Sequence, residues 1–270
     1  MPANAYVGVD VAIAKKKALP IVVCLRREGA IEPLRLNVRD APKPPRGCGN
    51  AAIVDPTVRA QFAADTVTYL RSVEQHFSVQ VRRIAIDAPS APRLGHLMLR
   101  EAEAALQAEQ ISFIQTPNQA AFGGMPDRVR QHLAAGGTQA TLPCANQLWM
   151  LFGFELFDVL KHEGWDCLEV YPQATVRSIG AGQIHKSAPG AVLQQLKAAA
   201  RHTGWPAEPT LSDLQAIGFE SLHDRLDAYL AAWVAALDEH DRRALGHPPD
   251  DVIWVPRVGL GRPQPGSQSA

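Results

Sequence analysis

The chain has 270 residues, of which 46% are hydrophobic and 20% carry a charge. This length is enough for one large domain or two small ones with a substantial buried core. The 27 basic residues are balanced by 27 acidic residues, so the formal net charge is zero. Proteins that bind long nucleic acids non-specifically usually carry a surplus of basic residues. The composition therefore gives no support to this class of protein.

The cysteines and the N-terminal residues help to predict the cellular compartment of the protein. The four cysteines are scattered along the chain, at Cys24, Cys48, Cys144 and Cys167. They form no C-x-x-C pair, and no histidine cluster at zinc spacing accompanies them. The N-terminus lacks the basic and long apolar regions of a secretory signal. No apolar run approaches the roughly 20 residues that a membrane span needs. We therefore expect a cytoplasmic protein with reduced thiols and no membrane partner.

The predicted elements begin with three strands and continue as alternating helices and strands. β-rich runs with short links predict an antiparallel meander of Tyr6–Val11, Pro20–Leu25 and Ile31–Val38. Apolar residues at helical spacing predict a first helix over Thr57–His76. In chain order, the later predictions are a strand at Arg83–Asp87, helices at Arg93–Gln107, Arg128–Ala135 and Gln147–His162, a strand at Cys167–Tyr171, helices at Ala191–His202 and Phe219–Leu245, and a strand at Val252–Val255.

This order predicts the fold class and the extent of the domain. A meander followed by α/β crossovers gives a mixed sheet with helices on its faces. We expect a single α/β domain over residues 1–258. Residues 259–270 are rich in Gly, Pro, Ser and Gln, which predicts a disordered tail.

Four acidic residues stand where a carboxylate is costly without a partner. Asp10, Asp87 and Glu169 lie in or at the end of predicted apolar strands, and Asp227 lies on the late helix. A carboxylate in an apolar strand needs an ion-pair partner, a proton or a cation. Taken singly, each acid is explained as well by a structural role, as a loop cap or as the partner of an arginine, as by metal binding. Together they favour a site for Mg²⁺ or Mn²⁺, which prefer oxygen ligands.

The late helix carries two acids, Asp224 and Asp227, next to an apolar stripe that includes Leu226. At 3.6 residues per turn, Asp227 lies about 100° from Leu226 and Asp224 about 160°. Asp227 is therefore expected to border the buried face and to bind the metal. Asp224 is expected to be solvated or to support a ligand.

At these residues the sequence resembles the DUF429 family, whose members are regarded as predicted nucleases with a ribonuclease H-like fold. The resemblance covers nearly the whole chain, and it is the order and spacing of several short motifs that carry it. In chain order, they are Val7-Gly-Val-Asp10, Ala85-Ile-Asp-Ala-Pro89, Asn146-Gln147 with Trp149, Leu168-Glu-Val-Tyr-Pro172, His185-Lys186-Ser187, Asp224-Arg-Leu-Asp-Ala-Tyr-Leu-Ala-Ala-Trp233 and Ile253-Trp-Val-Pro256.

The resemblance implies a ribonuclease H-like mixed five-stranded sheet flanked by helices, with helical insertions. It also implies two metal ions held by acids on the first strand, the fourth strand and the last helix. Asp10, Asp87 and Asp227 are the matching positions, and Glu169 is expected as a further ligand. By this analogy of fold, we expect an Mg²⁺- or Mn²⁺-dependent hydrolase of phosphodiester bonds, with DNA, RNA or a small phosphate ester as the substrate.

The loop after Asp10 departs from the family pattern. It carries Lys15–Lys17 where many relatives have a small, Gly-rich turn. These lysines are explained either by contacts with substrate phosphates or by a solvated turn. Lys186 likewise either holds a phosphate in a catalytic site or sits on a helix-entry loop. Arg93 is expected to pair with Glu101 or Glu103 rather than to reach the site.

Two other functional classes stay open. An ATP-using phosphotransferase of the actin and sugar-kinase group has the same core, but it needs Gly- and Thr/Ser-rich turns around the phosphates. The turn after Asp10 has neither Gly nor Thr. A binding protein that kept the fold without turnover is compatible with zero net charge. The sequence indicates neither the type of nucleic acid nor the oligomeric state.

Overall fold

The computed structural model describes residues 2–182 and 188–257. Its strands are β1 (Ala3–Asp10), β2 (Ile21–Arg27), β3 (Ala30–Pro33), β4 (Val79–Asp87), β5 (Asp166–Glu169), β6 (Arg242–His247) and β7 (Asp251–Pro256). Its helices are α1 (Pro56–Phe77), α2 (Glu101–Ala108), α3 (Gln119–Ala134), α4 (Leu148–His162), α5 (Pro172–Ser178), α6 (Ala191–Thr203), α7 (Leu211–Ala216) and α8 (Leu222–Ala236).

Five strands form the central sheet in the order β3-β2-β1-β4-β5. The β1–β2 and β2–β3 pairs are antiparallel, whereas β1–β4 and β4–β5 are parallel. The predicted α/β class and the mixed five-stranded sheet with flanking helices are confirmed. This arrangement is consistent with a ribonuclease H-like fold. Strands β6 and β7 form a separate antiparallel hairpin, and Trp254 of β7 bridges to Val170 just after β5.

Side chains alternate along the central strands and so supply apolar surface to both faces of the sheet. On one face, Val7 and Val9 of β1 belong to a cluster with buried residues of α1 and α4. On the other face, Val22 and Cys24 of β2 pack with buried residues of α6, α7 and α8. Because helices cover both faces, the central strands appear in the sequence as nearly continuous apolar runs.

Helix α8 packs directly on β1, and Gly8 is what permits this close approach. A Cβ atom at Gly8 would overlap the carbonyl oxygen of Ala228 and the backbone nitrogen of Ala232. The missing side chain therefore lets the α8 backbone lie against the middle of the sheet. The helix begins at the N-cap Ser221, whose hydroxyl donates to Asp224 Oδ2 at 2.8 Å. Asp224 therefore closes a capping box on α8.

The predicted helix Phe219–Leu245 is wrong in its last part. Helix α8 ends at Ala236, because Leu237 adopts an extended conformation with ψ of 145°. A 3-10 turn at Glu239–Asp241 follows, and strand β6 then begins at Arg242 and places Leu245 opposite Ile253 of β7. The apolar spacing of α8 continues by chance into this hairpin, so periodicity alone extended the helix too far.

The other differences concern the bounds of elements. Strand β3 ends at Pro33, earlier than predicted, and α3 begins at Gln119, well before the predicted Arg128. Helix α2 begins only at Glu101, since the backbone of Arg93 donates to Pro117 O and its Nε donates to Thr116 O. These hydrogen bonds also mean that Arg93 is held by backbone carbonyls instead of the expected Glu101 or Glu103. The short helices α5 and α7 were not predicted.

Two further predictions can be compared with the described residues, and a third falls outside them. Within residues 2–182 and 188–257, no helix has the length and apolar character needed to cross a membrane. All four cysteines are free. The predicted tail, 259–270, lies outside the described residues.

Candidate functional site

The carboxyl ends of the parallel strands bring two of the predicted acids side by side. Asp10 is the last residue of β1, Asp87 is the last residue of β4, and the two are opposite each other in the parallel register. Both residues are partly exposed. In open α/β sheets, ligands bind at this edge, because the loops diverge there and leave a crevice.

Asp227 reaches the same edge from α8. A cavity of about 140 Å³ is lined by Asp87 and Asp227, together with Tyr171, Gln173 and Gln195. The close packing of Ala228 over Gly8 fixes the height of α8 above β1, and Asp227 is the residue directly before Ala228. The structure therefore joins acids from β1, β4 and α8 at one edge of the sheet.

The pKa of Tyr171 is raised in this cavity, by burial and in part by the negative charge of the cavity. Burial raises the pKa of its phenol to about 12, and the nearby charges of Asp87 and Asp227 contribute to the rise. The hydroxyl donates to the backbone oxygen of Ser112 at 2.8 Å. Tyr171 is thus a protonated hydrogen-bond donor in the wall of the acidic cavity.

Glu169 ends β5 at the same edge but has a different environment. Its Oε1 and Oε2 accept from Arg100 Nη1 and Nη2, both at 2.8 Å, and both side chains are only 6% exposed. Oε2 also accepts from the backbone N–H of Ser90 at 2.8 Å. Such a bidentate pair is strong and directional. The sequence allows either a structural role or metal binding for this acid, and the structure shows an ion pair with an arginine.

The Arg100 side chain connects three elements around Glu169. Its Nε donates to Asp251 Oδ1 of β7 at 3.0 Å, and Asp251 Oδ2 accepts from the Glu101 N–H at the start of α2 at 2.7 Å. Burial lowers the pKa of the Arg100 guanidinium. The charge and hydrogen bonds of Glu169, with the charges of Asp251 and Glu103, outweigh burial and raise this pKa above its ordinary value. The network ties β5, α2 and β7 together beside the acids.

The loop after Asp10 is anchored by its backbone, and its lysine side chains are exposed. Gly49 N donates to Ile13 O at 2.7 Å, and Gly47 N donates to Lys17 O at 2.8 Å. Lys15 and Lys17 line a cavity of about 410 Å³ that begins at Val11, the residue after Asp10. The same cavity is also lined by Glu220 and Asp224, so the lysines on this fixed backbone share its wall with two carboxylates. Lys186, the other predicted phosphate-binding residue, lies outside the described residues.

Carboxylates suit hard divalent cations, and the edge offers them from three elements, Asp10, Asp87 and Asp227. A tighter set of possible ligands occurs elsewhere among the described residues. The ligand atoms of Asp238, His240 and Asp241 all lie within 4.8 Å of one another. This set follows α8 at the opposite edge of the sheet, where Asp238 pairs with Arg26 at 2.8 Å. Exposed acidic groups are common without a metal, so we base no functional proposal on it.

Sequence reasoning missed two residues of the site, Gln195 and Arg100. Gln195 is 3% exposed and lines the cavity of Asp87 and Asp227. A signal for it exists, since this polar residue lies on the buried side of α6 next to Leu196. Arg100 offers no such signal, because its partner Glu169 is 69 positions away along the chain.

Comparisons with protein-family models, with curated proteins and with solved structures found no match to this chain. Function is therefore inferred from the residues and their geometry, and membership of the DUF429 family stays a prediction.

Proposed function

We propose that the protein is an Mg²⁺- or Mn²⁺-dependent hydrolase of phosphodiester bonds, that is, a nuclease. The observation that carries this proposal is the acidic edge of the sheet. Asp10 lies opposite Asp87 in the β1–β4 register, and Asp87 lines one cavity with Asp227. Three carboxylates from three elements at the carboxyl edge of an α/β sheet are a suitable donor set for such cations.

In this proposal Asp10, Asp87 and Asp227 hold the divalent cation. The cation would supply the Lewis acidity that phosphodiester hydrolysis requires. Glu169 is left outside the proposed ligand set, because both of its oxygens accept hydrogen bonds from Arg100. Its role in this proposal is to hold the segment that follows Asp87, since Glu169 Oε2 accepts a hydrogen bond from the Ser90 backbone N–H.

Lys15 and Lys17 would contact the phosphates on either side of the cleaved bond. Their backbone is anchored to the 47–49 segment, so a bound phosphate would meet charges on a fixed loop. These two lysines would supply a local phosphate contact in a chain that has no basic surplus, beside the Glu220 and Asp224 carboxylates that line the same cavity. Lys186 is proposed for the same task on sequence grounds alone.

The test is a cleavage screen with Mn²⁺ on single- and double-stranded DNA and RNA oligomers. We expect cleavage by the wild type and a loss of about 100-fold or more in Asp10→Asn, since even residues that only support metal ligands cost up to about 100-fold. Asp238→Asn is the matched control, because it removes an acid of the exposed set at the opposite edge. It should cleave like the wild type.

Full activity in Asp10→Asn would contradict the proposed site. Absence of cleavage of every oligomer by the folded wild type would contradict the nuclease proposal. That second outcome would favour the two other classes, and ATP binding by the purified protein would then separate the phosphotransferase from the binding protein.

A further inference from the structure

A second cavity opens beside the acids, and most of its wall is apolar or aromatic. Its volume is about 100 Å³, and Leu106, Phe113, Trp149 and Ile253 line it. We call this cavity the aromatic pocket. Asp87 and Tyr171 line both the aromatic pocket and the cavity of Asp227. A group bound in the aromatic pocket would therefore lie directly beside the acidic edge.

Trp149 connects the aromatic pocket with the lysine loop. It lines the pocket and also the cavity of Lys15 and Lys17. The indole is held in place, since its Nε1 donates to the Asn146 backbone oxygen at 2.9 Å. A ligand that runs from the lysine cavity past Trp149 into the pocket would pass Lys15 and Lys17, which share their cavity with Glu220 and Asp224, before it meets the aromatic surface.

The polar groups in the pocket wall already have partners within the protein. Arg100 is bonded to Glu169, and Glu103 accepts from the Thr116 backbone N–H at 2.6 Å. These contacts hold the wall rigid and leave the apolar and aromatic surfaces as the main ones for a ligand. A wall of this kind, apolar with a few fixed polar groups, is typical of small-molecule sites, and a volume of about 100 Å³ leaves room for one small group.

We propose that the aromatic pocket binds an unpaired base of a nucleic-acid strand whose phosphate lies at the acidic edge. This inference rests on the proposed nuclease function and narrows its substrate to single strands or unpaired ends. Bases of single strands stack on aromatic side chains, and positive charge beside them holds the backbone. A base within a duplex is stacked on its neighbours and cannot enter a pocket without leaving the helix.

Fluorescence anisotropy measures this binding with Ca²⁺ in place of Mn²⁺, which keeps a hard cation at the acidic edge. Electrophoresis of the probes afterwards confirms that no strand was cleaved. The probes are a labelled single-stranded oligomer, an abasic strand of the same length and a blunt duplex. We expect the base-bearing strand to bind about 10-fold more tightly than the abasic strand, since stacking of one base contributes about 1–3 kcal/mol. The blunt duplex should bind more weakly than the base-bearing strand.

Two pocket variants and one control locate the effect. Ile114 lines the pocket and is 44% exposed, so Ile114→Trp should obstruct the pocket without disturbing the core. Val38 is 43% exposed and outside the pocket, so Val38→Trp is the matched control. Trp149→Ala removes the proposed stacking surface. Both pocket variants should lose the preference for the base-bearing strand, and Val38→Trp should keep it.

The outcomes separate the inference from the proposed function. Equal affinities of the wild type for the base-bearing and abasic strands, or an unchanged preference in both pocket variants, would overturn the inference even if metal-dependent cleavage were found. Cleavage that survives Asp10→Asn would overturn the proposed active site, whatever the anisotropy measurements gave.

Discussion

Asp87 and Glu169 end neighbouring parallel strands, but their side chains have different surroundings. Asp87 lines two cavities, one of which it shares with Asp227. Glu169 is 7% exposed as a residue and is bonded to Arg100 through both oxygens. Two acids in similar sequence contexts therefore have different surroundings, because Glu169 forms a buried ion pair with an arginine that is distant in the sequence.

The Arg100–Glu169 pair is open to a direct test of its structural role. Replacing Arg100 by Met leaves the Glu169 carboxylate buried without its cation, which should lower the free energy of unfolding by about 3–5 kcal/mol. The double variant Arg100→Met with Glu169→Met should recover part of the loss, because the buried carboxylate is gone, while the half-buried Asp251 still lacks its arginine. Urea unfolding curves measure both effects.

The same pair distinguishes a positioning role for Glu169 from metal binding. Glu169→Gln should leave Mn²⁺ affinity close to that of the wild type while it lowers stability. A loss of Mn²⁺ affinity as large as that of Asp10→Asn, in a variant that remains folded, would mean that Glu169 is a ligand after all.

Buried tyrosines make the fold sensitive to alkaline pH. Burial raises the pKa of Tyr69, Tyr171 and Tyr229 above the ordinary value. In the unfolded chain these phenols ionise near pH 10. Between that pH and the folded pKa, the folded state holds protons that the unfolded state has released. The free energy of unfolding should therefore fall as pH rises above about 10.

Tyr171→Phe isolates one contribution to this pH dependence. Each tyrosine that stays protonated in the folded state adds up to about 1.4 kcal/mol per pH unit to the slope. For Tyr171, this contribution ends at the folded pKa of about 12. Urea unfolding of the wild type and of Tyr171→Phe between pH 9 and pH 11 should give a shallower slope for the variant. Equal slopes would mean that Tyr171 ionises normally in the folded protein.

At the scale of the elements, the packing of α8 on β1 brings Asp227 to the acidic edge. Gly8 permits this contact, since a Cβ there would overlap the α8 backbone. The Val7-Gly-Val-Asp10 sequence therefore combines a strand, a packing position and a candidate ligand within four residues.

Gly8→Ala tests the role of this packing. The added methyl group meets backbone atoms that cannot move individually, so α8 should shift and the free energy of unfolding should fall by about 1–3 kcal/mol or more. Gly123→Ala is the control, because Gly123 lies in α3 and a Cβ there would meet nothing within 4 Å. The control should be neutral or up to about 1 kcal/mol more stable. Thermal unfolding of both variants provides the measurement, and a neutral Gly8→Ala would contradict the close packing.

Sequence patterns predicted the central elements well, because those elements obey local rules. The β-rich runs that end in Asp10 and Asp87 are strands at the expected places, and their parallel pairing puts the two acids side by side. Strand β6 depends on contacts with distant residues instead, since Leu245 belongs to one buried cluster with residues of α2. Arg242 of β6 packs over the Trp254 ring at 5.0 Å and is 6% exposed. No local pattern distinguishes such a buried arginine from one on the surface of a helix.

At the scale of the whole molecule, the candidate site is a junction of three cavities along one edge of the sheet. The acidic cavity shares Asp87 and Tyr171 with the aromatic pocket, and the aromatic pocket shares Trp149 with the lysine cavity. The sequence predicted the acids and suggested the lysines, because strand ends and charge runs are visible in it. It could not predict the aromatic pocket, whose walls come from α2, α4, β7 and the segment 113–116.

The neutral net charge fits this local arrangement. Positive charge at Lys15 and Lys17 lies close to negative charge at the acidic edge, so the site needs no basic surface elsewhere. In that case contacts within the three adjoining cavities would determine which substrate binds. Long-range electrostatic attraction by the whole protein would contribute little.

The most direct test of the account is a calorimetric titration of Mn²⁺ into the wild type, Asp10→Asn and Asp238→Asn. Asparagine keeps the shape of aspartate and removes the charge that a hard cation needs. We predict that the wild type and Asp238→Asn bind Mn²⁺ alike and that Asp10→Asn loses this binding. Binding that persists in Asp10→Asn and is lost in Asp238→Asn would place the metal at the opposite edge of the sheet. Absence of binding to the folded wild type would contradict a metal-dependent site altogether.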